Sequence, residues 1–461
     1  MAFCIRQQAV GGRRQAAGEF FLLPTACCLL PYICIMIERL YQVYKNHPRV
    51  QTDTRRLVAG EIFFALKGPN FNGNSFAAKA LEMGAAAVVV DEETGIEDNR
   101  IFKVPDALQA LQQLALHHRK QFNIPFLAIT GSNGKTTTKE LVFAVLNTTY
   151  KTTTTQGNLN NHIGVPLTIL SIPPDAEMAV IEMGANHQKE IAGYCSYTLP
   201  THGIITNCGK AHLEGFGGVE GVRKGKGELF DHLRAHHGTA FIMWDYDYFH
   251  TMSKGIENIV TYGTEEADFT GYLSASEPFL VVNMQKGSTV GTVSTHLVGE
   301  YNLPNVLVAV TVGEYFKVPA DRIKAAIESY EPNNSRSQLV IRDSNKFILD
   351  AYNANPTSMR AAIENFAKQH YPSKYICIGG MMELGDESIE EHQAIIELLE
   401  QHEWKDVLLV GGDFAKTKHH YRFFPDSNAA TDWLKAQNIT NGMFLVKGSR
   451  SMKMETLMRA F

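Results

Sequence analysis

The run Thr130-Gly131-Ser132-Asn133-Gly134-Lys135-Thr136-Thr137 brings glycines, a lysine and paired hydroxyls together in an order that suits a nucleotide's phosphates. Glycines let backbone N–H groups turn toward an anion, a lysine supplies a point charge for the β and γ oxygens, and a threonine hydroxyl can ligate Mg²⁺. Gly131, Ser132, Asn133, Gly134, Lys135, Thr136 and Thr137 are the expected nucleotide contacts. The longer phosphate-loop pattern would place a glycine where Ile129 stands, so only the shorter G-x-x-G-K-T form is present. Glu182 ends an apolar run that begins at Ala179, and a carboxylate at the carboxyl end of a strand beside the phosphate-loop strand is where a second Mg²⁺ ligand belongs. His212 follows the run 203–206 in the equivalent place one strand over and reads as a metal ligand, a solvated loop histidine being the plain alternative. Asn158, Asn160 and Asn161 are turn formers, and three side-chain amides so close together also suit recognition of a sugar or peptide.

A phosphate cradle needs a strand before it and a helix after it, and the sequence supplies both: 126–130 is β-rich, and helical periodicity runs on through Leu146. Apolar runs at 126–130, 178–182 and 203–206 alternate with helix-like stretches, which predicts a mostly parallel sheet covered on both faces. Upstream, 61–66 and 85–90 read as strands with a short helix at 76–83 between them, and Asp106 caps a helix to Phe122. Between 240 and 298, short segments separated by Tyr262-Gly263 and Lys286-Gly287 predict an antiparallel insertion. The α/β rhythm returns after Phe316 with strands at 347–350, 375–378, 407–410 and 443–446. The expected architecture is α/β in three domains: an α/β module over 36–105, a phosphate-loop domain over 106–315 and a Rossmann-like domain over 316–461.

A chain of 461 residues is too long for one compact core. A net charge of −5 excludes the broad basic footprint of a nucleic-acid binder, so phosphates must be held locally. Of seven cysteines, Cys4, Cys27, Cys28 and Cys34 crowd the start, while Cys195, Cys208 and Cys377 stand far apart. That is neither a disulfide framework nor a zinc pattern, and it predicts a reduced, cytoplasmic protein. Arg6, Arg13 and Arg14 precede an apolar run over 20–37, broken by Pro24 and Pro31, with the outline of a signal or anchor segment. Ile37, Leu40, Tyr41 and Tyr44, however, recur at helical spacing directly after Met36, so residues 1–35 read as an over-extended start and no stable membrane insertion is expected.

Taken in order, TGSNGKTT at 130–137, NLNNHIGVPL at 158–167, IEMGAN at 181–186, TNCGKAHLEGFG at 206–217, GKGEL at 225–229, GEYNLPN at 299–305, DAYNANP at 350–356 and MELGD at 382–386 resemble the Mur ligase family, over essentially all of 36–461. The IEMGAN, DAYNANP and MELGD forms are similar to the branch that adds D-alanyl-D-alanine rather than a single amino acid. The resemblance implies a cytoplasmic, monomeric ligase of peptidoglycan synthesis that uses ATP and Mg²⁺ and forms an acyl phosphate. Its substrates would be UDP-N-acetylmuramoyl-tripeptide and D-alanyl-D-alanine. By the same resemblance Asp53, Thr54 and Arg55 hold the UDP end, Thr136, Glu182 and His212 are metal ligands, and Lys226 is the lysine carbamylated in relatives, a further metal ligand. Asn302 meets adenine, Arg336 and Asp350 reach the nucleotide from the third domain, and Asn353 and Asn355 join the substrate contacts. Lys135, Glu182, His212, Lys226 and Arg336 make up the implied catalytic set, with Arg223 and Lys224 expected to press the Lys226 pKa down. Three positions depart from the family pattern: Tyr301 replaces a common His, Ser335 a Gly, and Gly380 an Asp. The alternatives are a related ligase adding one amino acid or glutamate, and a phosphate-loop protein that hydrolyses nucleotide without ligation.

Overall fold

The computed structural model describes residues 25–333 and 335–461, with side chains from Ile35 onward. The reading of 1–35 as an extraneous start lies outside the described residues as far as 24. Beyond that the backbone is one helix, Thr25–Asn46, so Met36 falls within a helix and does not begin it. Ile37, Leu40, Tyr41 and Tyr44 are buried along one face, as their spacing requires. That face packs on the helix Ala107–Arg119, whose Asp106 cap accepts a bond from the Gln109 amide. His118 joins the two helices to the body of the protein, its ring meeting Tyr41 Oη at 3.1 Å and the Ile172 carbonyl at 3.0 Å. Among the described residues no helix is long and apolar enough to cross a membrane.

The expected α/β architecture is present as three main sheets. The first is parallel, in the order Val50–Gln51, Ile62–Phe64, Ala87–Val90, Ile101–Lys103. The second has nine strands, and at its heart His202–Ile205, Phe126–Thr130 and Met178–Glu182 lie side by side and parallel. Their buried residues are apolar up to the carboxyl ends, where Thr130 and Glu182 stand, as a central strand covered on both faces demands. The segment after 240 corrects the expected antiparallel insertion. Thr239–Met243, Asn258–Gly263 and Phe269–Ala275 continue the parallel sheet, and only Val281–Lys286 and Thr292–Ser294 add to it antiparallel, as its edge. Turn signals alone could not reveal that the segments on either side join the same sheet.

The helix Leu303–Tyr315 is buried on all sides against the phosphate-loop helix, which explains its continuous apolar sequence. Ala320–Glu328 packs on that same phosphate-loop helix, with Ile323 and Ile327 buried. The third sheet runs Gln338–Arg342, Asn345–Asp350, Met443–Lys447, Lys374–Gly379, Asp406–Val410, Arg422–Phe424, antiparallel only at its first pair. Gly380, the family departure, lies back to back with Gly412: a Cβ there would sit 2.6 Å from the Gly412 Cα, so an aspartate has no room.

Candidate active site

The three central strands of the second sheet end together, and their carboxyl ends carry the loop 131–134, Glu182 and Thr206-Asn207. Ile129 pairs with Glu182 and Thr130 with Ile205, so sheet register sets these groups side by side. Gly134 caps the helix Lys135–Leu146 with a left-handed φ of 79°, a conformation that suits glycine. Thr206 Oγ1 donates to the Asn133 carbonyl at 2.6 Å, the Asn133 amide donates to Asn207 Oδ1 at 3.1 Å, and Ser132 Oγ donates to the Gly209 carbonyl at 2.9 Å. The loop is therefore held by the chain's own groups, and Thr206 and Asn207, not singled out from the sequence, are its clamp.

Lys135 folds over this loop and donates to the carbonyls of Gly131 and Ser132 at 2.7 and 3.0 Å. Burial in the cleft pushes its pKa down to about 8, with Glu182 opposing and Arg336 adding to the shift. Thr136 Oγ1 donates to Glu182 Oε1 at 3.1 Å, and Asn160 Nδ2 donates to the same oxygen at 2.7 Å. Glu182 is almost fully buried, and its Oε2 has no hydrogen-bond partner. An unpaired buried carboxylate oxygen beside a threonine hydroxyl is the oxygen donor set a hard cation such as Mg²⁺ takes. Asn160 thus positions Glu182. Asn161 Oδ1 instead accepts from the amides of Ile163 and Gly164 as a turn residue, and Asn158 is exposed outside the cleft.

The remaining members of the expected metal set are not gathered there. His212 Nδ1 lies 2.5 Å from Glu383 Oε2 of the third domain, though out of line for a hydrogen bond, and this contact holds the Glu383 carboxyl below the usual range. Among the described residues no three His, Cys, Asp or Glu side chains converge to hold a metal. Lys226 is buried, donates to the Ala185 carbonyl at 2.9 Å and lies over the Phe216 ring. Burial first and Lys135 second bring its pKa down to about 7. The expected cause is corrected, since Arg223 turns away to Glu220 and the Tyr248 ring.

From the third sheet, Asp350 and Lys447 end adjacent strands in register, and Lys447 Nζ donates to Asp350 Oδ2 at 2.5 Å. Lys447 was missed because the apolar run that marks its strand stops one residue earlier. The Arg336 guanidinium stacks on the Tyr352 ring at 3.6 Å. Ser335, the second departure, holds the left-handed φ of 58° that the family's glycine would hold. Tyr301, the third, meets Ser337 Oγ at 3.0 Å across the domain junction. Asn302 lines the cleft, its Nδ2 donating to the Val298 carbonyl at 2.9 Å and its Oδ1 accepting from Asn305 Nδ2 at 2.8 Å, which fixes the orientation of its amide. Asn353 caps the Ala354 amide, and Asn355 caps the helix Pro356–Lys368. These residues and the phosphate loop line one cleft of about 990 Å³ between the second and third domains, a size that suits a nucleotide and a second substrate. Asp53, Thr54 and Arg55 lie elsewhere, in the first domain: Thr54 is buried, while Asp53 closes on Arg55 at 2.6 Å, the ion pair holding the Asp53 carboxyl down at about 2.

Comparison with known proteins agrees with this layout. The Mur ligase family catalytic domain matches residues 49–119, the Mur ligase middle domain 129–313, and the Mur ligase glutamate ligase domain 335–450. The UDP-N-acetylmuramoyl-tripeptide--D-alanyl-D-alanine ligase of Escherichia coli (strain K12) is 36% identical over 89% of this chain and 93% of its own. The enzyme of that name from Bacillus subtilis (strain 168) is 33% identical over 89% and 92%. The crystal structure of the MurF ligase from Thermotoga maritima in complex with ADP superposes with a TM-score of 0.82 at 26% identity, over 90% of this chain and 96% of that one. With all three domains matched in order and sequence identity sustained across them, this chain belongs to the Mur ligase family.

Proposed function

We propose that this chain is an ATP-dependent ligase that joins D-alanyl-D-alanine to UDP-N-acetylmuramoyl-tripeptide, yielding ADP, phosphate and the pentapeptide precursor of peptidoglycan. The observation that carries the reading is the facing of two sets of strand ends across one cleft: Lys135 and Glu182 on one side, Arg336 and Asp350 on the other. The names of the relatives supply the substrates. In this reading the enzyme works as a cytoplasmic monomer, and the first domain binds the UDP end near Asp53, Thr54 and Arg55.

A carboxylate is a poor acyl donor until it is phosphorylated. The tripeptide's terminal carboxylate attacks the γ-phosphorus, the bond to the β-bridging oxygen breaks, and ADP leaves. No base is needed at this step, because the nucleophile is already an anion. The requirement is to align two anions and neutralise them, and Lys135 and Arg336 supply fixed positive charge on opposite sides. Thr136 and Glu182 would hold Mg²⁺, which when bound screens the phosphate oxygens, with His212 and a carbamylated Lys226 as the ligands of a second ion. The neutral amine of D-alanyl-D-alanine then attacks the acyl carbon and phosphate departs.

The test is phosphate release with ATP, Mg²⁺ and each co-substrate alone or together. Release that requires both UDP-N-acetylmuramoyl-tripeptide and D-alanyl-D-alanine supports the reading. Release with a free amino acid or glutamate in place of the dipeptide would assign a related ligase, and release indifferent to both would leave a simple hydrolase. Lys135→Ala should slow ligation on the order of a hundredfold or more with the fold intact, the loss of one strong donor to a developing charge.

A further inference from the structure

Asn355 caps the helix Pro356–Lys368, its Oδ1 accepting from the Ser358 amide while Ser358 Oγ accepts from the Asn355 amide. This capping box fixes which way the side-chain amide points. Its Nδ2 is turned out of the third domain and donates to Asn133 Oδ1 of the phosphate loop at 2.7 Å. Asn133 must therefore present its oxygen to Asn355, so its own Nδ2 faces the other way. That nitrogen is buried, has no hydrogen-bond partner, and belongs to a residue lining the cleft. The same loop is held rigidly from its other side by Thr206 and Asn207. The helix that Asn355 begins makes a second contact with the second domain, Thr357 Oγ1 accepting from the Lys210 amide at 2.9 Å.

We infer that the Asn133–Asn355 pair is a latch that couples phosphate binding to the docking of the third domain, with Asn355 a positioning residue and not a substrate ligand. The latch orients the Asn133 amide so that its free N–H group meets a phosphate oxygen. A phosphate that engages the N–H group in turn holds the Asn133 oxygen toward Asn355. Each contact favours the other by keeping one amide in one orientation, and linkage makes the coupling reciprocal. The inference rests on the nucleotide reading of the loop.

The experiment is a double-mutant cycle on nucleotide affinity, with the whole chain titrated calorimetrically with ADP and with a non-hydrolysable ATP analogue. Asn355→Ser keeps a good helix cap and removes only the reaching amide, so the melting temperature should stay close to that of the parent protein. Asn355→Ser and Asn133→Ala should each weaken binding of the analogue about three- to tenfold, and the double variant should be no weaker than the worse single one. Asn133→Asp retains an acceptor for Asn355 but loses the free donor; it should weaken binding while small-angle scattering shows the third domain still docked. Asn355→Ser should instead give a more extended particle. Effects of the two substitutions that multiply, or an Asn355→Ser protein with unchanged affinity and unchanged dimensions, would overturn the latch. A parent protein that binds neither nucleotide would overturn the phosphate reading itself, and the latch with it.

Discussion

Two lysines of the second domain are buried, Lys135 in the cleft and Lys226 beneath the Ala185 carbonyl, and burial gives both an unusual readiness to lose a proton. Lys135, pushed to about 8, is restored as a full cation by any phosphate that replaces its carbonyl partners. Lys226, at about 7, goes further: its Nζ donates to the Ala185 carbonyl, and a large share of it is a neutral amine near neutrality. Carbamate formation needs that neutral form, so the burial of Lys226 is what would make the modification accessible. Burial also fixes the sign of a stability effect. A folded pKa below the ordinary lysine value means that the unfolded chain binds the extra proton between about 7 and about 10.5. The destabilisation from Lys226 is full below about 7 and fades as pH rises toward 10.5. In CO₂-free buffer, Lys226→Met should therefore gain most in melting temperature relative to the parent at pH near 7, and the gain should shrink steadily up to pH near 10. A difference that stays flat across that range would show that the lysine keeps an ordinary pKa.

At the scale of elements, the phosphate loop works because its glycines permit a close approach to the neighbouring strand end. Gly131 has a φ of 143°, and a Cβ there would lie 2.0 Å from Thr206 Oγ1, the atom that clamps Asn133. Gly131→Ala cannot be absorbed by a rotamer change alone, since Thr206 Oγ1 is held by the Asn133 carbonyl and the sheet holds its backbone. The expected outcome is a stability loss of roughly 1–3 kcal/mol together with loss of nucleotide binding, read by calorimetry and thermal melting. Retained affinity in a folded variant would mean that the loop is shaped by the nucleotide and not before it. Much of this element was legible beforehand: strand, loop and helix follow one another in the chain, and the strand bounds 126–130 and the helix end at Leu146 match the expected ones. The Asp106 cap was legible for the same reason, its partner lying three residues on.

Across the whole molecule, the cleft exists only because the third domain is docked on the second. Besides the latch, the junction is held by the ion pair of Lys210 with Glu391, the ion pair of Lys368 with Glu300 at 2.7 Å, and the contact of His212 with Glu383. Glu391 is largely buried while Lys210 is half exposed, so the pair is screened from salt on one side only. Glu391→Gln should loosen docking by about 1 kcal/mol or less, leaving the lysine free to reach water. Small-angle scattering should show the parent protein expanding between ~0.05 and ~0.5 M salt, a range over which the screening length falls severalfold, while the variant is already expanded at the low end. Identical profiles would mean that the pair contributes nothing to closure.

The sequence by itself determined what lies close along the chain: the phosphate loop, the strand-end carboxylate Glu182, the buried face of the first helix and the caps. Hydrophobic period and turn chemistry act over a few residues, so they can be read without knowing where the chain goes next. Only the tertiary structure decided the pairs formed across long separations: Asp350 with Lys447, 97 residues apart, and Asn133 with Asn355, 222 apart. Strand order and register decide these, and a parallel sheet with crossover connections permits many orders for one set of strands. The same reason explains why 239–263 joined the central sheet, why His212 faces Glu383, and why Asn355, expected at the substrate, sits on the phosphate loop. The chemistry was written locally, and the docking of one sheet's strand ends against another's assembled it.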